Sequence, residues 1–182
     1  MPGVGPLTLD DEWGWYRSAP VAAGALGGAV GQIVVPKERA TSAERDEVQH
    51  VVGTFLTTDD HALREAGPDV FAYYLDTARL AREQGWDVQL PVIAGPESVW
   101  DHVTFGREFQ VDREPDVDHR VYISVECECA WEPEHGLQLV FCSGRAVSKV
   151  GPFDGHLTNV STFGRRDLEG AVYVSPFARK NS

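Results

Sequence analysis

Arg120-Val121-Tyr122-Ile123-Ser124-Val125-Glu126-Cys127-Glu128-Cys129 alternates side chains with period two: Val121, Ile123, Val125, Cys127 and Cys129 share one parity, and Tyr122, Ser124, Glu126 and Glu128 the other. Period two is the geometry of a β-strand, whose successive side chains point to opposite faces. One face is therefore core and the other wet or functional. After a turn at Glu132 to Gly136, Leu137, Leu139 and Phe141 continue the apolar parity, and Ser143-Gly144 supplies a two-residue hairpin loop. Such a loop sets Phe141 opposite Ala146, Leu139 opposite Ser148 and Leu137 opposite Val150. Gln138, Val140, Arg145, Val147 and Lys149 then share a mixed, incompletely buried face. Upstream, Phe105 to Val111 reads as a strand with Phe105, Phe109 and Val111 inward around Gly106, joined to the next by a turn containing Pro115. Residues 103–112, 119–129, 137–142 and 145–150 are expected to form a sequential antiparallel meander, and Ala171 to Val174 a last short strand.

Toward the N-terminus the period changes. Thr41 and Glu44 have capping-box spacing, and Val48, Val51, Val52, Phe55 and Leu56 recur at helical intervals, which predicts a helix over 42–56. Asp59 or Asp60 caps a short turn through Ala66. Gly67-Pro68 opens another helix, with proline at its first position, that runs to Gln84 before Gly85 ends it. Val70, Phe71, Tyr74, Leu75, Ala78 and Ala81 form its packing face, leaving Tyr73 and Leu80 outside as a second contact surface suited to a homodimer. Ala29 to Val35 is an apolar strand stopped by Pro36; the glycines before it lack dinucleotide-binding spacing. The fold class expected is α+β in a single domain of residues 1–182, with a helical half over about 40–85 packed on a sheet half over about 100–175.

A formal charge of −12, from 28 acidic against 16 basic residues, repels phosphate backbones and anionic headgroups. Nucleic acid and membrane surfaces are excluded as partners on this ground, and a basic protein is favoured. Ala19 to Val35 is uncharged but too short and too rich in glycine to span a bilayer. The first residues carry Asp10, Asp11 and Glu12 where a secretion signal requires positive charge. Three cysteines, an odd number, suit a reducing compartment, so a cytoplasmic location is expected.

Chemistry is densest from Glu126 to Gly136. Cys127 and Cys129 project to one strand face and Glu126 and Glu128 to the other, so these four do not close on one ion without a bulge. The thiols are expected buried, reduced and metal-free, and no cofactor is expected. His135 beside Glu132 or Glu134 has the composition of a proton-transfer group, with Asp154 and His156 nearby if the hairpins fold back; the same residues equally serve to bond turn backbone. Trp131 is a hairpin-packing residue or a ligand platform. The candidate surface is thus Trp131, Glu132, Glu134, His135, Asp154 and His156, with Glu134 and His135 at the rim of a concavity. Nucleophile-elbow, zincin, phosphate-loop and deaminase motifs are absent from the sequence, which leans against an enzyme.

The run Trp131 to Leu137, followed by Phe141 to Val150 and by Gly151-Pro152-Phe153-Asp154-Gly155-His156, resembles a bacterial family of domains of unknown function. A Trp-Glu-x-Glu-His-Gly-Leu segment leading into a strand and a glycine hairpin marks that family. The resemblance is most specific over Tyr122 to His156. It implies a β-rich core and toxin-neutralising gene neighbourhoods, and brings no catalytic residues. Three functions follow as expectations. The first is a cytoplasmic non-enzymatic binding protein, such as an immunity-type inhibitor of a basic partner. The others are a small enzyme or metal-binding protein sited at the Glu132–His135 turn, and a homodimeric structural domain.

Overall fold

The computed structural model describes residues 4–40, 44–86 and 89–178. Its centre is an eight-stranded sheet in the order β1-β2-β4-β5-β6-β7-β8, with β3 also paired to β4. The strands are β1 (Thr8–Asp10), β2 (Trp15–Arg17), β3 (Val21–Ala23), β4 (Ala29–Pro36), β5 (Val103–Arg113), β6 (Val121–Cys129), β7 (Leu137–Cys142) and β8 (Ala146–Gly151). The antiparallel meander expected in the C-terminal half is β5 through β8. The N-terminal half adds four strands of its own, so the sheet is wider than the alternation suggested. β2 and β3 share one edge of β4, pairing with residues 34–36 and 29–31 respectively. The Ser18 hydroxyl bridges the break before Pro20 by accepting the Ile33 N–H. The parallel pair is β4 with β5; parallel neighbours need a long crossover, which here holds helices α1 (Arg45–Thr57) and α2 (His61–Gln84).

Both helices cover the face carrying Val121, Ile123, Val125 and Cys127. Phe55 of α1 meets Phe109 and Phe141 edge-on at 5.4 and 5.1 Å between centroids, and Tyr73 and Tyr74 of α2 meet Trp131 the same way. α1 begins at Arg45; Thr41 of the expected capping box lies outside the described residues. α2 differs from expectation by running unbroken through Pro68. Proline there forfeits one backbone hydrogen bond, but Leu63, Ala66, Val70, Tyr73, Tyr74, Thr77 and Ala81 are buried as one stripe, and that burial outweighs the loss. The stripe is rotated from the predicted arc because Thr77 enters the core, its hydroxyl donating to the Tyr73 carbonyl at 3.0 Å. Tyr73 is accordingly buried, donating to the Gly136 carbonyl, and offers no second contact surface; Leu75 is exposed instead.

The β7–β8 hairpin also departs from the predicted register. Ser143 and Gly144 take positive φ of 52° and 70° and Arg145 N–H donates to Cys142, as a two-residue loop requires. Beyond the loop Cys142 pairs with Ala146 and Phe141 with Val147, and a bulge then sets Val140 against Lys149 and Leu139 against Val150. Two one-residue slips restore parity, so Lys149 keeps the face predicted for it while Val147 changes sides. That second face is not left open. Gln138, Val140 and Lys149 are fully buried beneath the loop 152–158 and α3 (Asn159–Phe163). Lys149 Nζ donates to Gln138 Oε1 at 2.6 Å, to Asp154 Oδ1 at 2.5 Å and to the His156 carbonyl at 3.1 Å, which uses all three ammonium hydrogens. The expected strand at Ala171 to Val174 is absent; the Val172 carbonyl accepts the Val150 N–H beside β8 and the Asn159 side-chain amide.

Replacing Lys149 by Met keeps volume but strands buried acceptors, so Lys149→Met is expected to lower unfolding free energy by about 2–4 kcal/mol in urea denaturation. Burial alone would raise the Asp154 carboxyl; the Lys149 ammonium, the His156 N–H and the Thr162 hydroxyl outweigh it and hold the group below its ordinary value. The unfolded chain therefore takes up this proton first as pH falls. Stability from Asp154 is present above the ordinary carboxylate range and is lost as pH drops through the depressed folded value; the acid limb of a stability titration should flatten in Asp154→Asn.

Candidate functional site

The turn between β6 and β7 is braced by Glu132. Its Oε1 accepts the Glu134 N–H at 3.1 Å and the His135 N–H at 3.3 Å, and its carbonyl accepts the Gly136 N–H. Gly136 sits at φ 62°, and a Cβ there would lie 2.4 Å from the Cys127 carbonyl oxygen. His135 projects outward, its Nδ1 3.6 Å from Glu132 Oε1, while its carbonyl accepts the Phe153 N–H and ties the turn to the loop after β8. Trp131 is 1% exposed and belongs to the core, not to a ligand platform.

Glu132, Glu134 and His135 form the rim of an open cavity of about 780 Å³. Its floor is the face of β5 and β6 turned away from the helices, with Gly106, Arg107, Glu108, Glu126 and Glu128. A bulge between Phe105 and Phe109 shapes that floor. At Gly106 the strands approach so closely that a Cβ would lie 2.0 Å from the Glu126 carbonyl oxygen. Glu108 is paired with Arg17, but among the described residues Glu126, Glu128 and Glu134 pair with no cation. The lining carries Glu108, Glu126, Glu128, Glu132 and Glu134 against the single guanidinium of Arg107, so the concavity is net negative. Cys127 and Cys129 lie in the wall but project into the core, and burial pushes their thiols up to about 12 and about 11, so both are protonated at neutral pH. Among the described residues no group of three or more His, Cys, Asp or Glu is placed to hold a metal ion.

Asp154 and His156 do not join this cavity. Asp154 is committed to Lys149, the His156 N–H and Thr162, and His156 Nδ1 lies 4.0 Å from Glu114. Around them is a polar cluster that reading by residue type did not find: Ser124, Gln138 and Lys149 beside Glu114, whose carboxylate accepts from Leu157 N–H, Thr158 and Ser161. A signal for it existed. Ser124, Gln138 and Lys149 share the parity of Glu126 and Glu128 on successive strands, which places three polar side chains on one stretch of sheet.

Fold and site together define an α+β domain with an acid-lined trough on the sheet face opposite its helices. The chain belongs to the family described as a domain of unknown function, DUF6985, whose profile matches residues 3–157. The match extends well upstream of Tyr122 to His156 and takes in β1 to β4 and both long helices. No curated protein and no solved structure matches the chain. No helix among the described residues is long and apolar enough to cross a membrane.

His135→Ala should leave stability within about 0.5 kcal/mol, because the imidazole is exposed. Glu132→Ala should cost about 1 kcal/mol by releasing two turn N–H groups. Gly106→Ala should cost about 1–3 kcal/mol through the clash with Glu126. Thermal unfolding of the three variants side by side checks this ranking.

Proposed function

We propose that this chain is a non-enzymatic binding protein whose acidic trough receives a basic segment of a partner protein, in the manner of an immunity-type inhibitor, and that it works in the cytoplasm. The observation that carries the reading is the set of unpaired carboxylates Glu126, Glu128 and Glu134 around one open cavity. A protein of net charge −12 attracts a basic partner at long range, and a concave patch of unpaired carboxylates gives that partner's cations somewhere to be neutralised. Free thiols at Cys127, Cys129 and Cys142 support a reducing compartment. The exposed His135 and Glu134 at the rim are placed to contact the partner without being needed for folding.

An octalysine peptide is the probe. It should bind with an affinity that falls steeply between low and physiological salt. Each carboxylate contributes about 0.5–1 kcal/mol, so the triple variant Glu126→Gln, Glu128→Gln, Glu134→Gln should bind it about tenfold to a hundredfold more weakly at unchanged melting temperature. Affinity indifferent to these substitutions, or no binding at low salt, would sink the proposal.

A further inference from the structure

A second, smaller cavity of about 120 Å³ lies on the same face of the sheet, sharing Gln110 with the trough. Its walls include Trp15, Pro36, Phe153 and Leu157, and its polar lining includes Gln110, Asp112, Ser124 and Gln138. Gln138 is fully buried and Ser124 is 3% exposed. Lys149 fixes the orientation of the Gln138 amide, because an ammonium accepts nothing and must face Oε1. Gln138 Nε2 therefore donates, at 2.9 Å, to Ser124 Oγ. Two buried donor hydrogens are then left over. Neither the Ser124 hydroxyl hydrogen nor the second Nε2 hydrogen of Gln138 reaches an acceptor among the described residues, and both side chains line the cavity. Buried donors of this kind are costly to leave unmatched, and Lys149 polarises the chain that ends in them.

An available acceptor comes from Asp112, whose side chain is 45% exposed and ion-paired with Arg39. Its Oδ1 accepts from Arg39 and from the Arg113 N–H, while no described donor reaches Oδ2. The Gln110 amide likewise makes no hydrogen bond among the described residues. Glu114 is already saturated by Leu157, Thr158 and Ser161. The terminal nitrogens of Arg113 are engaged with Glu47 and the His119 carbonyl, and its buried Nε, without a hydrogen bond, lies 3.7 Å from Glu44 of the segment before α1, away from Ser124 and Gln138. The cavity thus offers two donors on one side and a carboxylate oxygen with an amide on the other, between apolar walls.

We infer that this cavity is a binding site for a primary carboxamide, either a small amide or the Asn or Gln side chain of a partner. Its carbonyl oxygen accepts from Ser124 Oγ–H and Gln138 Nε2–H, and its NH₂ donates to Asp112 and Gln110. A carboxylate would satisfy the two donors but face Asp112; a guanidinium or an ammonium would satisfy Asp112 but leave Ser124 and Gln138 unmatched. Sites built on buried hydrogen bonds reject analogues that leave a group unpaired. The assignment stands apart from the trough and does not require a basic partner.

Propionamide, propionate and guanidinium are titrated separately into ¹⁵N-labelled protein, following the Ser124 and Gly155 amides and the Trp15 indole N–H. Propionamide should give saturable shifts with a Kd on the order of millimolar, as suits a ligand of so few heavy atoms, and propionate and guanidinium should bind at least tenfold more weakly there. Ser124→Ala should weaken propionamide at least tenfold, and so should Asp112→Asn, which serves should the first variant not fold. No saturable shift with propionamide, or propionate binding as well as propionamide, overturns the assignment. Octalysine is read at Gly106 and Glu128 instead, so the trough fails or survives on different resonances.

Discussion

The parity of β6 governs everything else in the molecule. It is a central strand, hydrogen-bonded to β5 and β7 along its length, so each of its side chains must serve one face or the other. The odd set is covered by α1 and α2 and forms the core with Phe55, Phe109 and Phe141. The even set divides along the strand. Tyr122 and Ser124 are buried, whereas Glu126 and Glu128 are exposed. The boundary between buried and open sheet falls between Ser124 and Glu126, and the small cavity and the acidic trough meet near it at Gln110.

Lys149 fixes that boundary. A buried ammonium is tolerated only with its hydrogens matched, and its acceptors come from β7, from the loop after β8 and from that loop's backbone. The cation therefore draws residues 154–156 down over the sheet and holds Gln138 in one orientation. Burial pulls the Lys149 pKa below its ordinary value, with Asp154 acting against the shift. The buried apolar cluster on this side is small, Tyr122, Val140 and Leu157 with Cys142 against them, so polar geometry has a large share in holding the loop. A loop held this way is directional: it closes over Ser124 and Gln138 and stops short of Glu126 and Glu128, which are exposed.

Much of the architecture was legible because it rested on period. β5 to β8 and α1 announce themselves through alternation and through the spacing of Val48, Val51, Val52 and Phe55. β1, β2 and β3 did not, since three-residue strands carry no period to read. Gly67-Pro68 looked like a boundary because local chemistry favours one, and only the packing of Leu63, Ala66 and Val70 in a single stripe shows why the helix continues. The hairpin loop was legible from Ser143-Gly144, yet the bulge beyond it was not: nothing in Val147-Ser148-Lys149 indicates which residue leaves the ladder. At the site, the acid-rich turn was visible from composition, and its rim residues Glu134 and His135 do flank a concavity. Trp131 stands next to it in sequence but serves the core; Asp154 and His156, expected near it if the hairpins fold back, serve the second-face loop.

The trough depends on backbone proximity as much as on charge. A side chain from β5 at this point would cover the floor beside Glu126, but the bulge places Gly106 there, and the Glu126 carbonyl leaves no room for a Cβ. Arg107 and Glu108 are exposed beyond it, and Glu108 is drawn toward Arg17 of β2, away from the other carboxylates. The floor is therefore low in side-chain bulk at Gly106 and net negative, with Arg107 its one cation against several carboxylates. Glu44, Glu47 and Glu83 meet cations, whereas Asp11, Glu38 and Asp101 are exposed and spread elsewhere over the surface without an ion pair among the described residues; what sets Glu126, Glu128 and Glu134 apart is that they share one concavity. Leaving Glu126, Glu128 and Glu134 without partners on a concave face forgoes that compensation in the free protein. A cation brought to this face would restore it, which is the physical reason the proposed basic segment is assigned to the trough and not to the scattered carboxylates elsewhere.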